Sequence, residues 1–263
     1  MKPRRSLLHE RLSAERPVYC FKSDIPHPMV PELLGNLGVH CLWLDTEHLP
    51  RSHETIALLA QAARGVDTDV LVRIPNGDYG AASLMFDLGA DAIMYPQVRD
   101  PADVARLVET TRFPPLGRRS IDSFVTATRY GQIPFDTYRA HTAEHNHLFI
   151  QIETPEALAC IDKIAATPGI SALFIGPGDL SLTLGKPNTA DAVHIVDAME
   201  RTAAAAKEHG LAWGMPGLSM DHVRTMLAMG ARFIAYGSDV TLLGQQVESM
   251  LAEVAAAAER YGG

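Results

Sequence analysis

The sequence predicts an α/β fold of the (β/α)8 barrel type, and three observations carry that prediction. Short apolar runs recur at residues 18–21, 41–44, 70–74, 92–95, 148–152, 172–175, 212–215 and 233–236, eight in all. Most are continuous rather than alternating, as parallel strands are when both faces are covered. Helical stretches lie between them, and a full count of eight strand-helix alternations favours a closed barrel over an open doubly wound sheet. A chain of 263 residues suits one barrel domain spanning 1–263, because such barrels run to about 250 residues.

The helices follow in order at 52–63, 79–88, 101–111, 155–165, 191–208 and 221–229. The fourth carries its own start signal: Thr154 caps it, Pro155 suits its first position and Glu156 complements its dipole. Residues 112–147 break the rhythm with a Pro-Pro-Leu-Gly turn at 114–117, an Arg-rich stretch and a further helix at 135–145. An insertion of that length is usually functional or an interface. The last helix, 242–260, stops at Tyr261-Gly262-Gly263.

Composition excludes several classes. The chain is 47% hydrophobic and 21% charged, ordinary for a protein with a substantial core. With 23 Lys and Arg against 31 Asp and Glu, the net charge is −8. No basic run offers a polyanion a footing, so nucleic acid is not an expected partner. Cys20, Cys41 and Cys160 are odd in number and share no metal-type spacing. They read as small buried apolar residues in a reducing cytoplasm. Residues 6–16 are broken by His9, Glu10, Arg11, Glu15 and Arg16, which leaves no signal-peptide core. Nowhere does an apolar stretch approach the roughly 18 residues needed to cross a bilayer.

In barrels of this kind chemistry gathers where strands end, so the polar residues after each apolar run are the candidates. Asp45-Thr46-Glu47-His48 follows the second run, Arg73 closes the third, Glu153 follows the fifth and Gly176-Pro177-Gly178-Asp179 follows the sixth. With Thr154 already the cap, Glu153 is free for function, a salt bridge to a neighbouring strand being the plainer alternative. Asp179 follows a Gly-Pro-Gly backbone that can present N–H groups to an anion, although Asp is itself a preferred cap. Together Glu153 and Asp179 form an oxygen-only pair on adjacent strands, suited to Mg²⁺ or Mn²⁺ with positions left for substrate. Arg73 interrupts a buried strand, and its guanidinium must face either an acid or an anionic ligand. His48, beside Asp45 and Glu47, is a candidate general base whose imidazole a carboxylate can orient.

Other groups weigh less. His141 and His145 lie four apart on one helical face, with His147 close by, but the segment is polar and offers no obvious third ligand. A solvated helix end is the expectation there. Arg118 and Arg119 read either as a solvated loop or as a grip on a second substrate carboxylate. Asp87 reads as surface.

In order and spacing these residues resemble the HpcH/HpaI aldolases, the metal-dependent class II pyruvate aldolases of the phosphoenolpyruvate/pyruvate barrel superfamily. The resemblance runs from about residue 18 to 243. Its motifs are Asp45-Thr-Glu47-His48, Val72-Arg73, Tyr95-Pro96, Phe113-Pro-Pro-Leu-Gly117, Gln151-Ile-Glu153-Thr and Phe174-Ile-Gly-Pro-Gly-Asp179-Leu-Ser181.

The resemblance implies that Glu153 and Asp179 ligate a divalent metal (Mg²⁺, Mn²⁺ or Co²⁺), with Gln151 lining the same site. Arg73 would contact the keto oxygen of pyruvate, and His48 with Asp45 would serve in proton transfer. The backbone around Gly178 and Asp179 would hold the pyruvate carboxylate. Asp87 would reach the site of a neighbouring subunit in a homo-hexamer, a dimer of trimers with exchanged C-terminal helices, which reverses the surface reading. The implied reaction is cleavage or formation of 4-hydroxy-2-oxo acids, giving pyruvate and an aldehyde. The alternatives are a citrate-lyase-like acyl-CoA lyase and a non-catalytic keto-acid-binding barrel. A Schiff-base aldolase needs a lysine at a strand end; of Lys2, Lys22, Lys163, Lys186 and Lys207, Lys22 alone has that position. The chain departs from the family pattern at Thr46, where Gly is common, at Gly117-Arg118-Arg119-Ser120 and after Phe21.

Overall fold

Eight parallel strands close into a barrel in sequence order in the computed structural model, which describes residues 3–261. Lys2 and the Gly262-Gly263 helix stop lie outside the described residues. The strands are β1 (Val18–Lys22), β2 (Cys41–Asp45), β3 (Asp69–Arg73), β4 (Ala92–Tyr95), β5 (His147–Ile152), β6 (Ala172–Ile175), β7 (Ala212–Pro216) and β8 (Phe233–Ser238). The first helices are α1 (Leu7–Ser13), α2 (Met29–Asn36), α3 (His53–Gly65), α4 (Tyr79–Leu88), α5 (Pro101–Thr111) and α6 (Phe135–His145). They are followed by α7 (Pro155–Ala159), α8 (Ile161–Ala165), α9 (Pro177–Leu184), α10 (Val193–Glu208), α11 (Met220–Ala228) and α12 (Asp239–Tyr261). No helix among the described residues is long and apolar enough to cross a membrane.

Strand alternation explains how one sequence serves both the core and the site. Val70, Val72, Leu148, Ile150 and Ile152 point outward and pack under the helices, while Leu71, Phe149, Trp43 and Phe174 fill the barrel interior. Since side chains alternate, the inward face of β3 reads Asp69, Leu71, Arg73, and that of β5 reads His147, Phe149, Gln151. Each inward face is therefore apolar in the middle and polar at both ends. The ends toward the strand C-termini meet at the mouth, where the candidate residues lie.

The opposite end is sealed by α1, which the sequence reading does not contain. Ser6 caps it by accepting from the His9 backbone N–H at 3.0 Å. Leu8 is fully buried in the interior cluster, a burial worth about 1.5–3 kcal/mol. Asp69, at the N-terminal end of β3, accepts from Leu8 N–H (2.6 Å), Ser6 Oγ (2.9 Å) and Arg4 Nη1 (2.6 Å). The same Arg4 nitrogen lies 2.9 Å from Asp91.

The strand predictions hold to within a residue or two at each end. The predicted helix at 155–165 is two short helices broken at Cys160, and α2 and α9 go beyond the predicted set. Cys20, Cys41 and Cys160 are free thiols, the first two buried and the third half-buried.

Candidate active site

Register places the first pair. β2 and β3 align with Asp45 opposite Arg73, and a guanidinium beside a carboxylate on neighbouring inward faces forms a fork. Arg73 Nε lies 3.1 Å from Asp45 Oδ1, and Nη2 lies 2.5 Å from Oδ2. Glu47 adds an oxygen 3.2 Å from Nε, and the guanidinium sits 4.9 Å from the centre of the Trp43 ring. Burial alone would raise the Asp45 carboxyl, but the Arg73 pair, with Lys22 behind it, brings it below the usual range. Arg73 is thus paired as a structural residue would be, and it also lines the cavity at the mouth.

Asp45 does not meet the His48 imidazole. Its Oδ1 accepts from the backbone N–H groups of Glu47 (3.0 Å) and His48 (3.4 Å), which shapes the turn after β2. The carboxylate beside the imidazole is Glu47, 3.5 Å from Nε2, and the His48 side chain is 60% exposed at the rim. Thr46, a departure from the family pattern, donates both its N–H (2.9 Å) and its hydroxyl (2.7 Å) to the Arg73 carbonyl, tying the ends of β2 and β3 together.

Glu153 is buried just beyond β5, with only 1% of its surface exposed. Its Oε1 accepts from the Gln97 backbone N–H at 2.7 Å, and its Oε2 accepts from Gln151 Nε2 at 2.5 Å. Gln97 aims that N–H from a left-handed conformation, φ +54°, uncommon for a residue with a side chain. Burial pushes the Glu153 carboxyl up to about 7; the Gln97 N–H opposes the shift, while Asp179 and Glu47 add to it. Glu47 is likewise raised, first by burial and then, against the pull of Arg73 and His48, by Asp45 and Asp179.

Gly176 makes this packing possible, since a Cβ there would stand 2.2 Å from Glu153 Oε2 and 2.8 Å from Gln151 Nε2. It is also the residue before α9, whose first turn holds Gly178 and the half-buried Asp179. The N–H groups of that turn precede the first intrahelical bond and are free to meet an anion, where the helix dipole favours negative charge. Asp179 is therefore not the cap of α9.

The donor set fits a divalent cation. The charges of Asp179 and Glu47 push the Glu153 carboxyl up, Asp179 acts likewise on Glu47, and Gln151 Oε1 is buried with no partner. Oxygen donors of this kind suit Mg²⁺ or Mn²⁺.

Elsewhere the structure sorts the remaining candidates. Asp87 lies near the C-terminal end of α4, away from its own barrel mouth, and accepts from Arg119 Nη2 at 2.6 Å. Arg119 is buried rather than solvated, with its guanidinium 5.3, 4.9 and 6.0 Å from the ring centres of Phe86, Phe113 and Tyr138. It does not face the mouth; Arg118 is an exposed loop residue 3.2 Å from Glu109. Lys22 Nζ lies 3.1 Å from Asp24 and 3.6 Å from Asp45, surroundings unlike the apolar pocket a Schiff-base lysine needs. Lys22, Asp24, Trp43, Arg73, Gly217 and Ser238 border a cavity of about 550 Å³ at the ends of β1, β7 and β8.

Gln97 lies outside the strand-end runs singled out from sequence, and Glu47 and Gly176 lie within them but had no role of their own. Glu47 was legible from its place beside Asp45, whereas Gln97 acts through its backbone and gives no side-chain signal.

The HpcH/HpaI aldolase/citrate lyase family model matches residues 27–245. The chain belongs to the HpcH/HpaI aldolase/citrate lyase family. It is 32% identical over 235 residues to the hydroxypyruvate/pyruvate aldolase of Delftia acidovorans, covering 89% of this chain and 87% of that protein. It is also 32% identical over 218 residues to the 5-keto-4-deoxy-D-glucarate aldolase of Salmonella paratyphi C, covering 83% and 84%. Among solved structures, an HpcH/HpaI aldolase/citrate lyase family protein from Burkholderia cenocepacia superposes with a TM-score of 0.87 at 29% identity, over 95% of this chain and 99% of that one. As a member of the HpcH/HpaI family, the protein is a carbon–carbon lyase of the aldolase type.

Replacing Gly176 with Ala drives a methyl group into Glu153 and Gln151. Gly176→Ala is expected to cut turnover at least 100-fold, with circular dichroism close to wild type and a lowered melting temperature, since the methyl also stands 2.7 Å from Glu153 Cβ. Full activity in this variant removes Glu153 from the working site.

Proposed function

We propose that the protein cleaves 4-hydroxy-2-oxo acids to pyruvate and an aldehyde, and forms them in reverse, with Glu153 and Asp179 holding a divalent cation (Mg²⁺, Mn²⁺ or Co²⁺). The observation that carries the reading is the set of carboxylates at the mouth, one of them buried, beside a guanidinium that lines the substrate cavity. When bound there, the cation supplies Lewis-acid polarisation of a carbonyl, an effect worth several kcal/mol.

The chain's own residues divide the remaining work. The N–H groups of Gly178 and Asp179 hold the substrate carboxylate, and Gln151 orients it beside Glu153. Arg73, kept in place by Asp45, points N–H donors at the keto oxygen, where negative charge grows in the transition state. His48, with Glu47 beside its ring, takes the proton from the C4 hydroxyl. The C3–C4 bond then breaks, its electron pair forms the C2–C3 double bond of pyruvate enolate, and the aldehyde leaves. A proton delivered to C3 completes pyruvate. The cavity beside Lys22 and Ser238 receives the aldehyde portion.

The assembly belongs to the same reading. Leu243, Val247, Met250, Leu251 and Val254 form an exposed apolar stripe along α12, which has no buried residue. Other copies of the chain cover it in a homo-hexamer, a dimer of trimers, and bring Asp87 to a neighbour's mouth.

A retro-aldol screen of 4-hydroxy-2-oxo acids, read as pyruvate released, tests the reaction. Chelation is expected to abolish turnover and Mg²⁺ or Mn²⁺ to restore it. Glu153→Gln is expected to lose at least 100-fold in kcat, whereas Arg73→Ala loses kcat without losing metal affinity. Turnover that survives chelation, or a Glu153→Gln variant at the wild-type rate, overturns the assignment. Light scattering of the same protein is expected to give a mass near six times the 28.6 kDa chain; a monomer contradicts the assembly.

A further inference from the structure

Four histidines meet at the end of the barrel opposite the mouth, where α1 docks against the end of α6. The ring centres of His141 and His145 are 3.9 Å apart, those of His145 and His9 are 3.9 Å apart, and His147 lies 5.6 Å from His9. Sequence spacing supplies His141, His145 and His147 from α6 and β5 but no third ligand; the fold supplies His9, 132 residues before His141, on the chain's own α1, together with Glu144. The solvated helix end expected from sequence is therefore a packed junction. Potential ligand atoms of His9, Glu144 and His145 all lie within 4.8 Å of one another.

We propose that His9, Glu144 and His145 form a second divalent-metal site, selective for Zn²⁺-like transition metals and separate from the carboxylates at the mouth, that fastens α1 to α6.

Three features support ligation over simple packing. First, His145 Nδ1 lies 3.0 Å from the His141 carbonyl. A carbonyl only accepts, so Nδ1 carries the proton and Nε2 keeps its lone pair outward, as in a metal-ligating histidine whose other nitrogen is held by the backbone. Second, His9 Nδ1 is buried without a well-formed hydrogen bond, although the Glu144 backbone lies close to the ring, while its Nε2 is 3.5 Å from Ser13 Oγ. A buried ring nitrogen so poorly satisfied is a cost that a metal reduces. Third, His9 and His145 approach from separate elements, α1 and α6, so an ion between them joins two parts of the fold. Glu144 is exposed and free to swing in.

Two imidazoles, one carboxylate and an open position are a donor set for Zn²⁺ at about 2.0–2.2 Å per ligand. From a 4.8 Å grouping, closing onto one ion needs ligand atoms to move by on the order of 1 Å, with the stacked rings tilting apart. His147 stays outside the set. Its Nε2 is buried and unpartnered, but Arg112 stands close enough to oppose positive charge there. The two metal sites are independent: His147 and Glu153 bracket β5, so about 20 Å of strand separates the two ends of the barrel.

Metal-stripped protein titrated with Zn²⁺ or Co²⁺ alone, followed by calorimetry and by the visible absorption of bound Co²⁺, reads the site. Wild type is expected to bind two ions per chain. Glu153→Gln combined with Asp179→Asn retains one, with the spectrum of a nitrogen-containing donor set. His9→Gln combined with His145→Gln retains the other and leaves aldol turnover intact. Glu144→Gln, an exposed change that spares the packing, is expected to weaken the second site at least tenfold. In the Glu153→Gln/Asp179→Asn protein, Zn²⁺ is expected to raise the melting temperature, a shift lost on adding His9→Gln. One ion per wild-type chain, or two ions undiminished in both the His9→Gln/His145→Gln and Glu144→Gln proteins, overturns the proposal.

Discussion

A buried carboxylate with too little positive charge around it is the constraint on which the mouth of this barrel is built. Glu153 is almost wholly removed from water, and the nearest guanidinium, Arg73, is already forked onto Asp45 and touches Glu47. Its ionised form is held instead by one backbone N–H, from Gln97 in a left-handed turn, and one amide, from Gln151. Neither carries a full charge, and Asp179 and Glu47 add repulsion. A rim of this kind is poised to take a cation, and the missing side chain at Gly176 is what lets strand β6 approach closely enough to build it.

The barrel makes that arrangement cheap to position. A period of two places Asp69 and Arg73 on one inward face of β3, and His147 and Gln151 on one inward face of β5, with Leu71 and Phe149 between them. The apolar middle layer insulates one polar end from the other. At the far end the buried acid, Asp69, accepts from Arg4, Ser6 and the Leu8 N–H, donors that oppose the burial and the Asp91 charge pushing its carboxyl up to about 7, and so it anchors the α1 plug. At the mouth the acids outnumber their partners. The same residue types thus do different work: a carboxylate tied directly to a guanidinium fastens a helix, and one held only by neutral donors at an open mouth is left to take a cation.

Much of this was legible in the sequence because both faces of most strands are covered, which writes those strands as continuous apolar runs and leaves polar residues conspicuous at their ends; β1 and β8, with Tyr19 and Tyr236 exposed, are the exceptions. Asp45, Arg73, Glu153 and Asp179 were found that way. The elements that escaped have physical reasons. Helix α1 is seven residues long, and α2 and α9 are preceded by Pro28 and Gly176, which provide no side-chain cap to announce them. Gln97 contributes an N–H, which no side chain advertises. Arg119 sits in a polar, Gly-containing stretch that reads as loop, yet Phe86, Phe113 and Tyr138 enclose it through contacts across 52 residues of chain. The pairing of Asp45 with Arg73 rather than with His48 is a matter of register between strands, and register appears only when the sheet closes.

The central claim is that the carboxylates at the mouth and Arg73 together stabilise an enolate of pyruvate. Exchange of the pyruvate methyl protons for deuterium, followed by proton NMR in D₂O with no aldehyde present, measures that step alone. The account predicts enzyme-dependent exchange that requires Mg²⁺, stops on chelation and is lost in Arg73→Ala. Exchange at an undiminished rate in chelated protein, or in Arg73→Ala with Mg²⁺ present, contradicts it.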